Sequence, residues 1–335
     1  MVESCLRTHS FRKVGLTEKI TSMSTSSNVL AALAGGAVVA CVGALLFRKQ
    51  LSRQPSPPPS SSLASIEAVA ASVAKAGRDK VPLVGKVVVV TGASSGIGRA
   101  IATAFHAQGA LVAIGARRYE RLEMLCEELG GGLNIFPVKT DVTDTESVQN
   151  LVDAAEQKFG KGVDILVNVA GVMYFTLMKN CQMSEWNRTV DVNCKGVLNG
   201  FGAVLPGMVK RKKGHIITIS SDAGRRVFPS LAVYCASKYF VEALSEATRR
   251  ELIGTGIRVT TIQPGDCATD LVQQNTDEEA LKALGIKAGA TVGEGWGNKW
   301  NLLKPEDVAN SVLYAATAPA HVAINEVLVE PRDQA

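Results

Sequence analysis

Val87-Val88-Val89-Val90-Thr91-Gly92-Ala93-Ser94-Ser95-Gly96-Ile97-Gly98 is the stretch on which the fold turns. Four consecutive valines without polar alternation mark a strand covered on both faces. A glycine-rich turn follows, and Ile97, Ile101 and Phe105 then recur at four-residue spacing, which predicts a helix with one apolar stripe ending near Gly109. Strand-like runs return at Leu111–Ile114, Asn134–Val138, Val163–Val167, His215–Ile219, Arg258–Ile262 and Glu326–Val329, with helical patterns between most of them. Strands alternating with helices predict an α/β fold, a single-domain doubly wound parallel sheet spanning residues 85–331.

Outward from this core, composition narrows the function classes. The chain of 335 residues is 46% hydrophobic and 20% charged, which is globular composition. Lys and Arg outnumber Asp and Glu by 10 to 4 in residues 1–84 but stand at 26 against 27 in residues 85–335. A near-neutral domain argues against nucleic acid as a partner, because binding a phosphate backbone needs a net basic face. Seven dispersed cysteines form no C-x-x-C pair, so neither a metal site nor a redox couple is expected, and reduced thiols suit a cytosol-facing protein.

The N-terminal extension reads as a polar segment over 1–28, an uncharged run over 29–47, and a Pro/Ser-rich linker with a short helix over 48–84. The run from Val29 to Phe47 has 19 residues, nearly enough as a helix to cross a hydrocarbon core of about 30 Å. Nine of them are Ala or Gly, so a buried helix is the bland alternative, but no partner segment surrounds the run. We expect a single-pass transmembrane helix with the catalytic domain in the cytosol, since Arg48, Lys49 and Arg53 flank the run closely. Targeting to a mitochondrion or plastid is the alternative.

The glycine turn sits between strand and helix, where glycines allow a tight turn and close approach of backbone N–H groups to a pyrophosphate. Gly92, Ser94, Ser95, Gly96, Ile97 and Gly98 are therefore candidate dinucleotide contacts. The second strand ends in Ile114-Gly115-Ala116-Arg117-Arg118. An acid at this point would hold an adenosine 2′-hydroxyl, whereas Arg pairs with a 2′-phosphate, so Arg117 and Arg118 favour NADP(H) over NAD(H). A solvated arginine pair at a helix start is the competing reading.

Tyr234 and Lys238 lie four residues apart in Tyr234-Cys235-Ala236-Ser237-Lys238 and share a helix face. Ser221 closes a strand thirteen residues upstream, and Asn193 lies in Asp191-Val192-Asn193-Cys194-Lys195-Gly196. Together these residues resemble the classical short-chain dehydrogenase/reductases, with a Rossmann-type fold, over roughly Gly85 to Pro331. Thr140-Asp141-Val142 is similar to the family's segment beside adenine, and Asn168-Val169-Ala170-Gly171 to its Asn-Asn-Ala-Gly, with Val169 in place of the second Asn. Pro264-Gly265 with Thr269 resembles the segment that holds the nicotinamide carboxamide, although Cys267 stands where Val is common.

Chemically, a carbonyl that accepts hydride needs a proton on its oxygen. Tyr234 is the candidate general acid, Lys238 the cation expected to lower its pKa, and Ser221 a hydrogen-bond donor to the substrate oxygen. The resemblance further implies that Lys238 binds the nicotinamide ribose, that Asn193 holds a water in a proton relay, and that the protein forms dimers or tetramers. Pro319–Glu326, Pro331 and Leu205-Pro206-Gly207-Met208 resemble a branch containing NADP-dependent 3-hydroxy acid and serine dehydrogenases and insect farnesol dehydrogenases. The polar, Gly-rich stretch 269–301, with Trp296 and Trp300, is expected to form a substrate lid. Arg225 and Arg226 could meet an acidic substrate, while a membrane anchor would fit a lipophilic alcohol or ketone. The expected activity is NADP(H)-dependent interconversion of a carbonyl and a primary or secondary alcohol. A non-catalytic NADPH-binding sensor or scaffold at a membrane is the alternative.

Overall fold

The computed structural model describes residues 83–287, Gly289 and 301–334. The polar segment 1–28, the apolar run 29–47, nearly all of the linker, and Trp296 and Trp300 lie outside the described residues. Among the described residues no helix is long and apolar enough to cross a membrane.

In chain order the elements are β1 (Val87–Thr91), α1 (Gly96–Ala107), β2 (Leu111–Ala116), α2 (Tyr119–Glu128), β3 (Ile135–Lys139), α3 (Thr145–Phe159) and β4 (Ile165–Asn168). They continue with α4 (Met183–Val190), a π-helical turn (Asp191–Lys195), α5 (Gly196–Arg211), β5 (Gly214–Ile219), α6 (Ala232–Glu251), β6 (Ile257–Pro264), α7 (Glu278–Leu284), α8 (Pro305–Thr317) and β7 (Glu326–Val329). The described strands form one sheet in the order β3-β2-β1-β4-β5-β6-β7, and every pairing is parallel. The chain winds outward from β1 to β3, then returns to lay β4 on the other side of β1. That reversal opens a crevice at the carboxyl ends of β1 and β4, the place where open parallel sheets bind ligands.

The four valines show why β1 lacks alternation. Val88 and Val90 pack on one face with Ile101 and Phe105 of α1 and Val308 and Val312 of α8. Val87 and Val89 pack on the other with Leu151 and Val152 of α3 and Val204 and Met208 of α5. All four are fully buried, a gain of about 1.5–3 kcal/mol for each valine. Leu83 is buried in the first of these layers, and Gln334 bonds to Asp222, so packing extends past both ends of the 85–331 stretch.

Candidate active site

The glycine turn takes its shape from what lies against it. Gly92 has φ +70°, and a Cβ there would stand 2.7 Å from the backbone N and Cα of Ala170. A Cβ on Gly98 would lie 2.3 Å from the carbonyl oxygen of Gly92, so the start of α1 can approach β1 only without a side chain. Thr91 Oγ1 accepts the N–H groups of Val169 (3.1 Å) and Ala170 (3.3 Å), tying the turn to the segment after β4. Val169 thus contributes through its backbone. Asn168 is buried beneath that segment, and its Nδ2 has no hydrogen-bond partner among the described residues.

A cavity of about 600 Å³ runs from this turn across the ends of β4, β5 and β6. Every candidate cofactor-binding and catalytic residue lines it except Asn168 and Asn193. At the turn, Arg118 Nη2 donates to Ser94 Oγ at 2.9 Å and to Ser95 Oγ at 2.7 Å. Arg117 lines the same end without a hydrogen bond there, so Arg118 is the guanidinium fixed on the turn. Burial and the charges of Arg121 and Arg117 lower the Arg118 pKa, the mark of a concentrated positive field. Burial alone would raise the Asp141 pKa, but the Thr143 N–H (3.0 Å) and hydroxyl (2.8 Å), with Arg188 and Arg117 nearby, hold it below the usual carboxylate value.

Toward the centre, Tyr234, Lys238 and Ser221 are all buried and face the cavity. Lys238 Nζ lies 5.6 Å from the centroid of the Tyr234 ring and donates to the carbonyl oxygen of Ile219 at 2.9 Å. From the sequence, Lys238 is expected to lower the phenol pKa; in the structure the phenol is instead raised above 10, chiefly by burial. The nearby Ser221 hydroxyl opposes that rise, and the charge of Asp222 adds to it. Burial also lowers the Lys238 ammonium to about 8, partly offset by Glu242. Tyr234 is therefore protonated at neutral pH. The Ser221 hydroxyl donates to Asp222 Oδ1 at 2.8 Å and accepts the Ala223 N–H at 3.2 Å.

Asn193 sits on the π-helical turn between α4 and α5, a local widening often found at functional sites. Its Oδ1 accepts the Val172 N–H at 2.9 Å, while its Nδ2 donates to the Val172 carbonyl at 2.9 Å and to Ser237 Oγ at 3.1 Å. Both amide hydrogens are engaged, so the side chain clamps the loop after β4 onto α6.

The other sequence candidates divide. Pro264, Gly265 and Thr269 line the cavity. Arg225 and Arg226 do not: Arg225 bonds Gln263 (3.1 Å) and pairs with Glu326, while Arg226 pairs with Glu330 at 3.1 Å, which corrects the idea that they meet a substrate. The described part of the 269–301 stretch forms a wall of the cavity through Leu271, Val272, Gln273 and Leu284. Asp277 pins it to the segment after β4, accepting from Leu177 N (3.0 Å) and Asn180 Nδ2 (2.9 Å). The structure adds Tyr174, Phe228, Arg188 and Gln334 to the lining. No local motif marks these four, because residues far apart in the chain bring them together.

The short chain dehydrogenase family pattern matches residues 86–280. The chain belongs to this family. It is 57% identical over 256 residues to the glycine betaine reductase ATRR of Emericella nidulans, covering 76% of this chain but only 19% of that much longer relative. An uncharacterized oxidoreductase of Staphylococcus saprophyticus is 39% identical over 251 residues, covering 74% of this chain and 97% of the relative. Among solved structures, the closed form of a serine dehydrogenase complexed with NADP+ aligns with a TM-score of 0.65 at 35% identity, covering 74% of this chain and 96% of its own. A 3-ketoacyl-(acyl-carrier-protein) reductase from Brucella melitensis, complexed with NADH, aligns with a TM-score of 0.62 at 29% identity, covering 74% and 97%. Family membership makes the protein an oxidoreductase.

Proposed function

We propose that this protein is an NADP(H)-dependent reductase of aldehydes or ketones, running in reverse as an alcohol dehydrogenase. The observation that carries the reading is the buried, protonated Tyr234 beside Ser221 and Lys238, in the same cavity as the bare glycine turn and Arg118. A side chain on Gly92 or Gly98 would strike the backbone of Ala170 or of the turn itself, so only glycine allows the tight turn that brings N–H groups to a dinucleotide pyrophosphate, and Ser94, Ser95, Arg117 and Arg118 supply donors suited to a 2′-phosphate. Asp141 and Val142 would border the adenine, and Ala170, Gly171, Pro264, Gly265 and Thr269 the nicotinamide half. The fit of these residues supports the cofactor, and the neighbour solved with NADP+ supports its phosphorylated form.

When bound, NADPH supplies the hydride. The protein's own residues do the rest. Tyr234 gives its phenolic proton to the carbonyl oxygen as negative charge develops there. Ser221 turns its hydroxyl from Asp222 toward that oxygen and stabilises it. Lys238, held by the Ile219 carbonyl, stabilises the phenolate left behind and can replace its proton. Asn193 acts in this scheme by fixing the cavity wall at Val172. A phenol with a raised pKa suits reduction near neutral pH better than oxidation, which needs the phenolate.

For the substrate, the relative named glycine betaine reductase offers a lead. The aldehyde corresponding to that betaine is a carbonyl of the class that this site has the groups to reduce. Tyr174 and Phe228 line the wall, and aromatic side chains are the type that receives a quaternary ammonium group. The test is a screen of aldehydes and ketones, including betaine aldehyde, by loss of NADPH absorbance. Tight NADPH binding with no turnover of any carbonyl would replace the enzyme with the sensor or scaffold. We further propose that residues 29–47 tether the enzyme to a membrane with the catalytic domain on the cytosolic side. Full-length protein that washes off membranes in carbonate would reject the tether.

A further inference from the structure

Gln334 bridges two chain segments that the catalytic scheme uses separately. The Asp266 N–H, just beyond β6, donates to Gln334 Oε1 at 2.9 Å, and Gln334 Nε2 donates to Asp222 Oδ2 at 3.0 Å. The other oxygen of Asp222 accepts the Ser221 hydroxyl and the Ala223 N–H, each at 2.8 Å. Asp222 itself is buried, only 7% exposed. The amide has its own slot, because a Cβ on Gly265 would lie 2.4 Å from Gln334 Oε1. A turn in which Gln334 N–H donates to the Pro331 carbonyl at 3.0 Å delivers the side chain there, with Pro331 buried beneath.

We propose that Gln334 is a positioning residue for Ser221, acting through Asp222; the inference rests on the carbonyl-reductase reading of this cavity. Ser221 has one hydroxyl hydrogen, and Asp222 holds it. To donate to a substrate oxygen, that hydrogen must turn away. A carboxylate that also accepts from Gln334 carries less charge on Oδ1 and is the weaker competitor. The same bond stops the carboxylate from rotating and keeps Ser221 aligned with the Gly265–Asp266 turn. Without the amide, Asp222 would retain the hydroxyl more tightly, and the oxyanion would lose its donor when charge develops.

The experiment compares wild type, Gln334→Ala and Gln334→Glu in the full chain, with NADPH and either betaine aldehyde or benzaldehyde as the carbonyl. We expect Gln334→Ala to lower kcat about tenfold, a loss of the size a charge-assisted hydrogen bond can give, while the NADPH Kd stays within about twofold. Gln334→Glu sets a carboxylate against Asp222, so near pH 8 it should be at least as slow. As the pH falls and the new carboxyl takes up a proton, it can donate to Asp222 and kcat should recover toward wild type. Gln334→Ala, with nothing to titrate, should keep its deficit across that range. A merely structural role would give two variants with parallel pH profiles, and that result, or kcat at the wild-type level in both, overturns the proposal. If wild type reduces neither of these nor any other carbonyl in the screen, the functional reading falls and takes the inference with it; if another carbonyl turns over, the same comparison is made with it. Wild-type turnover that is lost in Tyr234→Phe but untouched in both Gln334 variants overturns the inference alone.

Discussion

Lys238→Met should make the protein more stable near neutral pH while removing its activity. Lys238 is 7% exposed, and burial lowers its pKa to about 8 from an unfolded value of 10.5. Between these values the unfolded chain holds a proton that the folded chain has released, so wild-type stability rises with pH across the window. Below about pH 8 folding carries the full cost of burying the ammonium. At 1.36 kcal/mol per pH unit, that cost is about 3 kcal/mol. Methionine has similar length and no charge, but it leaves the Ile219 carbonyl, which now accepts from Nζ at 2.9 Å, without that donor. The lost bond costs about 1–2 kcal/mol, leaving a net gain of about 1–2 kcal/mol, or roughly 3–6 °C in Tm. Near pH 9.5 the wild type has regained about 2 kcal/mol, and the advantage should vanish. Thermal and denaturant unfolding of both proteins at the two pH values tests this, since the variant-minus-wild-type difference cancels the other titrating groups. A difference independent of pH, or a variant less stable than wild type near pH 7, would refute a strained, buried charge at Lys238.

Two further outcomes follow from the geometry. Arg118→Ala should weaken NADPH about tenfold or more relative to NADH, with little change in Tm, because this exposed guanidinium is fixed on Ser94 and Ser95; Arg117→Ala should do so less, and titration of both coenzymes by fluorescence checks it. Asn193→Ala leaves the Val172 N–H and carbonyl without their side-chain partner, which should cost about 2 kcal/mol, or roughly 4–8 °C in Tm, with weaker cofactor binding measured alongside.

What the sequence shows of this architecture is what short-range patterns encode. The unbroken valines of β1 are legible because both faces of that strand are covered, and the glycine turn because Gly92 and Gly98 have no room for a side chain. The spacing of Tyr234 and Lys238 translates directly into one helix face. Other features depend on contacts between distant segments. The choice between Arg117 and Arg118 is made by Ser94 and Ser95, more than twenty residues away. Asn193 reads as a helix-internal residue, yet a π-helical turn aims it at Val172. Gln334 meets Asp222 across 112 residues, a separation at which no periodicity speaks. The expected lowering of the Tyr234 pKa fails because proximity in sequence reports the cation but not the burial.

Tyr234→Phe tests the central claim most directly, since it keeps the ring and its burial and removes only the hydroxyl. Measured with NADPH and the best carbonyl from the screen, turnover should fall about a hundredfold or more while the NADPH Kd is unchanged. Turnover within a few-fold of wild type would mean that the proton comes from elsewhere and would contradict the account.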